Sequence, residues 1–199
     1  MEKNPGYGFI FHWGGSHLDF SLLHQSAHQL YIMQSTSSYE LGGDQLDQLI
    51  FQLLLEKFIA QTHKDITDTT IFDNYHLQMR LRSTITNIKM RFHSDESTLV
   101  EIFDLDNINI ISIPFSKMDF EDCIHTITGL IELKIHKFLQ DAAISKEEIH
   151  HTILVGGCSN LSPVIDLLKK NLPNATIYNQ IPPEEVIAYG LALKSASTQ

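Results

Sequence analysis

Cysteine is almost absent from this sequence. Cys123 and Cys158 are the only two in 199 residues. Two thiols make no disulfide framework, so a reducing, cytoplasmic setting is expected. Basic charge is also short: 14 Lys and Arg stand against 24 Asp and Glu, a formal net charge of -10. Such an acidic chain offers no basic groove for direct nucleic-acid contact. Long apolar runs are missing too. The most apolar helical stretch, Leu49 to Ile59, is interrupted by Gln52, Glu56 and Lys57, so no membrane span is expected. The start, MEKNPGYG, has no positive region followed by an apolar core, and no signal peptide is expected. There is no internal repeat and no low-complexity tract. The eleven histidines are scattered. No pair of them has a helical zinc spacing backed by further ligands, so no metal site is expected.

What is present is an ordinary globular composition, 43% hydrophobic and 19% charged. It is enough for one domain carrying an inserted subdomain. The organising stretch is TILVGGCSNLSPVIDLL, Thr152 to Leu168. Thr152 to Val155 reads as a central strand covered on both faces. Gly156 and Gly157 follow, and each can take positive φ. Ser162 then reads as the cap of a helix with Pro163 at its first position. A strand-glycine-helix crossing leaves N–H groups pointing at one spot, which suits a phosphate or sugar edge. It also serves as a plain tight connection.

The rest of the chain reads in order. Gly8 to Phe11 and Leu18 to Leu23 are expected strands around a turn, His12 to His17. Leu18, Phe20 and Leu22 share one face of the second strand, with Asp19 and Ser21 on the other. Gln29 to Thr36 is a third strand. Gly42 and Gly43 lead into a helix with Leu46, Leu49, Ile50, Leu53, Leu54 and Phe58 on one face, and Asp44 and Asp47 at its positive end. His63 to Asn74 is a polar break. Tyr75 to His93 is a second helix with Leu77, Leu81, Ile85 and Ile88 as its seam. Leu99 to Phe103 and Ile108 to Ile113 form a hairpin over an acidic turn, Asp104 to Asn107. Ser116 caps a long helix with Asp119 as box partner, and Ser145 with Glu148 forms a second capping box. Thr176 to Tyr178 is the last strand. Pro182 to Glu185 opens a last helix whose Ala188, Gly190 and Ala192 make a face for close packing. An antiparallel meander beside parallel units gives an α/β domain with a mixed sheet.

These motifs together resemble the second lobe of the ATPase domain of the heat-shock protein 70 chaperones, an actin-like ATPase (ribonuclease H-like) fold. The resemblance covers nearly all of the chain. HWGGSHLDFSLL is similar to the family's second phosphate hairpin, and YELGGDQLD to the start of its inserted subdomain. LRSTITNIKMRF is similar to its adenosine-contacting helix, ILVGGCSNLSP to its adenosine-binding turn, and IPPEEVIAYGLAL to its closing helix. The resemblance implies a base subdomain at 1–41 and 118–199 and an inserted α+β subdomain at 42–117. It implies nucleotide contacts at Gly14, Gly15, Ser16, Lys89, Gly156, Gly157, Cys158 and Asn160.

Several charged contacts of the family are exchanged. His12 takes the place of an aspartate that helps hold magnesium, and His17 that of a threonine. A neutral imidazole suits hard Mg²⁺ poorly. Thr86, Met90 and His93 replace a glutamate, a base-stacking arginine and a serine; only Lys89 keeps the family residue. Cys158 and Asn160 replace a serine and an arginine. Only Met1 to Tyr7 precedes the hairpin, and a first lobe, with its own phosphate loop and lysine, is not in this sequence. Half a cleft cannot enclose a triphosphate or position an attacking water. Weak ATP or ADP binding, no magnesium and no hydrolysis by this chain alone are therefore expected. IPPEEVIAYG resembles the ribosome-associated branch of the family, which implies a J-domain partner, an exchange factor or the ribosome as partners.

Three functional readings follow: a regulatory or co-chaperone module with a degenerate ATP site, a piece of an active ATP-hydrolysing chaperone, or a structural subunit without nucleotide. His12 and His17 on a glycine-rich tip also invite a general-base role. No nucleophile accompanies them, and Asp19 is expected to face away or cap the hairpin, so no catalytic residue is assigned.

Overall fold

The computed structural model describes residues 6–26, 29–63, 75–91, 97–103 and 110–196. By contacts the chain divides into two compact units, Met1–Asp44 with Ile127–Gln199, and Gln45–Thr126. Each is taken by itself.

The first unit is built on a five-stranded sheet. Its strands are β1 (Tyr7–Trp13), β2 (Leu18–Gln25), β3 (Leu30–Ser38), β6 (Ile149–Val155) and β7 (Thr176–Tyr178), in the order β3-β2-β1-β6-β7. The meander β1-β2-β3 is antiparallel, whereas β6 pairs parallel with both β1 and β7. The sheet is therefore mixed, as expected of an antiparallel meander beside parallel units.

One face of that sheet is the core. Phe9 and Phe11 of β1 lie opposite Leu22 and Phe20 of β2 and opposite Thr152 and Leu154 of β6. All six are at most 1% exposed. Fully burying aromatic and aliphatic side chains of this size stabilises by about 2–3 kcal/mol each. The last half of the long helix α3 (Lys117–Asp141) covers this face: Phe138 meets Phe9 and Phe20 edge-on, at centroid distances of 6.0 and 5.8 Å. Helix α4 (Ser162–Asn171) joins α3 through one buried polar side chain. Asn171 Oδ1 accepts from His136 Nε2 at 2.6 Å, and its amide nitrogen donates to Glu132 Oε1 and Leu167 O, both at 3.0 Å. The amide is thus satisfied, as a buried polar group must be.

The opposite face is more open, so β6 is not covered on both faces as expected. His151 is exposed and Ile153 half-buried. A groove of about 580 Å³ lies there, with Gly8, Leu30, Ile153 and Tyr189 in its walls. The last helix, α5 (Val186–Ala196), starts after the Pro182–Glu185 segment rather than within it. Its Ala188, Gly190 and Ala192 are exposed, and nothing stands within 4 Å of a Cβ built on Gly190. The expected close-packed small-residue face is not packed in this structure.

Helix α1 (Gly43–Thr62) supplies most of the second unit's first layer, with Leu46, Ile50, Leu54 and Phe58 buried at four-residue spacing. Leu49 and Leu53 are half-buried flanks of the same stripe. Helix α2 (Tyr75–Arg91) buries Leu81, Ile85 and Ile88. The hairpin β4 (Ser97–Phe103) and β5 (Ile110–Ser116) pairs Ser97 with Ser116 and Phe103 with Ile110. All of the expected polar break His63 to Asn74 beyond His63, the acidic turn Asp104 to Asn107, the first two residues of the strand expected from Ile108, and His93 lie outside the described residues, as does the side chain of Leu77.

Both capping boxes form. Asp119 N–H reaches Ser116 Oγ at 3.2 Å, and Asp119 Oδ2 accepts from Ser116 N–H at 2.7 Å. Ser145 and Glu148 close a reciprocal box over a single 3₁₀ turn, Lys146–Glu148.

Candidate functional site

The β1–β2 hairpin turns over only four residues, Gly14 to His17. Gly14 N–H donates to His17 O at 3.1 Å. His12 and Trp13 belong to β1 rather than to the turn, because the ladder continues on both sides of them: His12 pairs with Asp19 of β2 and with Val155 of β6. Trp13 is fully buried, and its indole N–H donates to Leu41 O at 2.6 Å.

That bond brings the second glycine pair onto the hairpin. Gly43 N–H donates to Gly14 O at 2.8 Å, and Asp44 N–H to Gly15 O at 2.7 Å. These are first-turn N–H groups of α1, which have no partner within their own helix. The fit leaves no room for side chains. A Cβ on Gly42 would stand 2.4 Å from Gly15 O, and one on Gly43 would stand 2.5 Å from Cys158 Sγ.

The third glycine pair follows β6, and its first residue packs against β1 of the hairpin. Gly156 has φ 83, and a Cβ there would lie 2.5 Å from Trp13 O. Its N–H donates to Pro183 O at 2.8 Å. Gly157 has no positive φ, so only the first residue of the pair uses the left-handed region. Residues Gly157–Asn160 form a 3₁₀ turn, pinned by Ser159 Oγ donating to Gly156 O at 2.6 Å. The cap of α4 is Leu161, not Ser162, and Ser162 is the first helical residue. Leu161 is buried and its N–H is held by Cys158 O, so its backbone stays extended and the helix begins one residue later.

Of the expected contact residues, Gly14, Gly15 and Cys158 thus meet around Gly42 and Gly43, and Gly156 packs on Trp13 beside them in the hairpin. Ser16, Gly157 and Asn160 are exposed beside them in sequence. Lys89 lies in the other unit and is held there by Asp47, with Nζ 2.5 Å from Oδ1.

Asp19 departs from expectation. It neither faces away nor caps the hairpin. Its Oδ2 lies 2.8 Å from His12 Nδ1 and 3.1 Å from His17 Nε2, and its Oδ1 accepts from the Ser37 hydroxyl. Burial alone would raise its pKa; the Ser37 hydroxyl and His12, helped by His17, outweigh burial and hold the carboxyl below its ordinary 3.8. The imidazoles of His12 and His17 stand edge-on with centroids 4.9 Å apart, and His17 Nδ1 is 2.9 Å from Ser16 Oγ. Two imidazoles on one carboxylate do not suit Mg²⁺, which takes oxygen ligands in an octahedron. The signal for this cluster was present in the pairing: with a four-residue turn at Gly14 to His17, His12 and Asp19 stand opposite each other.

Residues 3–198 match the family model described as Hsp70 protein. The chain belongs to the Hsp70 family. Its mixed sheet and helices are those of the Hsp70 actin-like ATPase fold. A ribosome-associated molecular chaperone of Saccharomyces cerevisiae is 32% identical to it over 188 residues, 94% of this chain and 30% of that protein. The ribosome-associated molecular chaperone SSB of Candida glabrata is 30% identical over the same shares. The chaperone protein dnaK of Trieres chinensis is 26% identical over 190 residues, again 94% of this chain and 30% of the relative. This Hsp70-family chain therefore spans about 30% of the length of the curated relatives it matches. Among its described residues no helix is long and apolar enough to cross a membrane.

Proposed function

We propose that this Hsp70-family chain is a nucleotide-binding lobe with a degenerate ATP site, working in protein folding as a regulatory or co-chaperone module. One observation carries the reading. The glycine pairs Gly14–Gly15 and Gly42–Gly43 interlock through backbone contacts and Gly156 packs on the Trp13 carbonyl, while the residue at the mouth of the hairpin is a histidine engaged with Asp19. The backbone part of a phosphate cradle survives, and the oxygen ligands that would hold magnesium beside it do not.

In this reading Gly14, Gly15, Ser16, Gly156, Gly157, Cys158 and Asn160 line the weak ATP or ADP site, and Lys89 is a further nucleotide contact. The base subdomain is 1–41 with 118–199 and the insertion 42–117. The chain by itself does not hydrolyse ATP. Its work lies in surfaces offered to a J-domain co-chaperone, an exchange factor or the ribosome; the ribosome is supported by the similarity to ribosome-associated chaperones. A cytoplasmic location fits the reduced thiols.

Calorimetric titration with ADP and ATP, with and without magnesium, tests the site. The expected result is binding weaker than micromolar that magnesium does not strengthen. Micromolar binding that requires magnesium would overturn the degenerate-site reading.

A further inference from the structure

The hairpin histidines are arranged for a chemistry that nucleotide binding does not use. His12 Nδ1 and His17 Nε2 both stand beside Asp19 Oδ2, and one donor atom from each of the three residues lies within 4.8 Å of the others. We propose that His12, His17 and Asp19 form a binding site for a zinc-class divalent metal ion, through Nδ1, Nε2 and Oδ2, with the fourth position left to water.

The distances fit. In a tetrahedral zinc site with bonds of about 2.0–2.1 Å, neighbouring donors stand about 3.3 Å apart. Here the two nitrogen-to-oxygen gaps are 2.8 and 3.1 Å, so the ligands need to spread by only a few tenths of an ångström. The scaffold is stiff: His12 and Asp19 are a register pair in the β1–β2 ladder, and His17 is one residue before β2.

Supporting contacts are also in place. Ser16 Oγ sits on the second nitrogen of His17, which fixes the ring and turns Nε2 toward the site. Ser37 holds the other oxygen of Asp19. The three side chains are 23%, 33% and 29% exposed, so an ion can reach them from solvent. Nitrogen-rich donor sets of this kind favour zinc, cobalt, nickel and copper over magnesium and calcium. Three protein ligands with an open fourth place match exchangeable zinc sites rather than closed structural ones. The inference stands whether or not nucleotide binds.

The test is a titration of the untagged full chain with Co²⁺, read by visible absorption, followed by displacement with Zn²⁺. One equivalent should bind with the intense spectrum of a four-coordinate ion. His17→Ala should weaken binding by more than about 100-fold, and Ser16→Ala, which removes only the supporting hydroxyl, by about 10-fold. His24→Ala, elsewhere on β2, should change nothing. Circular dichroism checks that each variant is folded; should His17→Ala unfold, the exposed Ser16→Ala substitution still decides. A weak six-coordinate spectrum, unchanged affinity in both site variants, or an equal loss in His24→Ala would overturn the site and leave a hydrogen-bonded His-Asp-His cluster.

Discussion

Gly42 and Gly15 approach so closely that a methyl group on Gly42 would stand 2.4 Å from the Gly15 carbonyl oxygen. The obstacle is backbone on both sides, since Ser16 C is equally near, so no side chain can turn away to make room. Gly42→Ala is therefore expected to destabilise by about 3 kcal/mol, the upper part of the usual range for overpacking. Gly157→Ala is the contrast. Nothing lies within 4 Å of a Cβ there, so it should leave stability within about 0.5 kcal/mol of the parent. Urea unfolding of both variants checks the pair; equal losses would mean that the glycine pairs are not interlocked.

Thr152 carries a cost that a single substitution removes. It is fully buried opposite Phe9 in the sheet core, and its hydroxyl has no hydrogen-bond partner. A buried hydroxyl without a partner costs about 1–3 kcal/mol. Thr152→Val keeps the shape and removes the polar atom. The urea midpoint should rise, by an amount equivalent to about 1 kcal/mol, with an unchanged slope. A lower midpoint would mean that the hydroxyl is satisfied.

Local signals made much of this legible. Four-residue spacing at Leu46, Ile50, Leu54 and Phe58, and the Ser-x-x-acid patterns at Ser116 and Ser145, are written within a turn or two of helix. The placement of β1 between β2 and β6 has no such local signature, because the parallel partner Leu154 is far along the chain from Phe11. At the start of α4 cap preference speaks for the Ser162 hydroxyl, whereas the buried Leu161 side chain decides where the backbone leaves the extended region. At the site, the glycines were legible as punctuation. The bond from Asp19 to both histidines is legible only once the turn is fixed at Gly14 to His17, because these groups meet across a hairpin rather than along a helix.

Asp119 links the cap of α3 to acid stability. Burial raises its pKa, but the Ser116 backbone N–H, Lys57 and the Ser116 hydroxyl together bring it below the ordinary 3.8. Lys57 Nζ stands 2.9 Å from its Oδ2. A carboxyl with a lowered folded-state pKa stabilises fully above its unfolded value. That contribution is lost as pH falls below 3.8 and through the lower folded value. Asp119→Ala should cost about 1 kcal/mol at neutral pH, as expected for a lost capping partner. It should also flatten the decline in stability on acidification. Thermal melts of parent and variant across that range check both; parallel pH curves would count against the assignment.

Cys123 shows how burial and neighbouring charge together silence a thiol. Its side chain is buried on α3, and burial pushes its pKa up first. Asp119, Asp122 and Glu56 push in the same direction, because a thiolate beside carboxylates is repelled. The result is about 11 against an ordinary 9.0. At pH 8 the thiolate fraction is then on the order of one thousandth, and the thiolate is the nucleophile. Iodoacetamide at pH 8 should leave Cys123 unmodified in the folded chain and modify it fully in urea, as read by peptide mass mapping. Asp122→Asn removes one of the repelling carboxylates from the exposed side of the helix. It should speed the native reaction several-fold if charge contributes, and leave it unchanged if burial alone protects the sulfur.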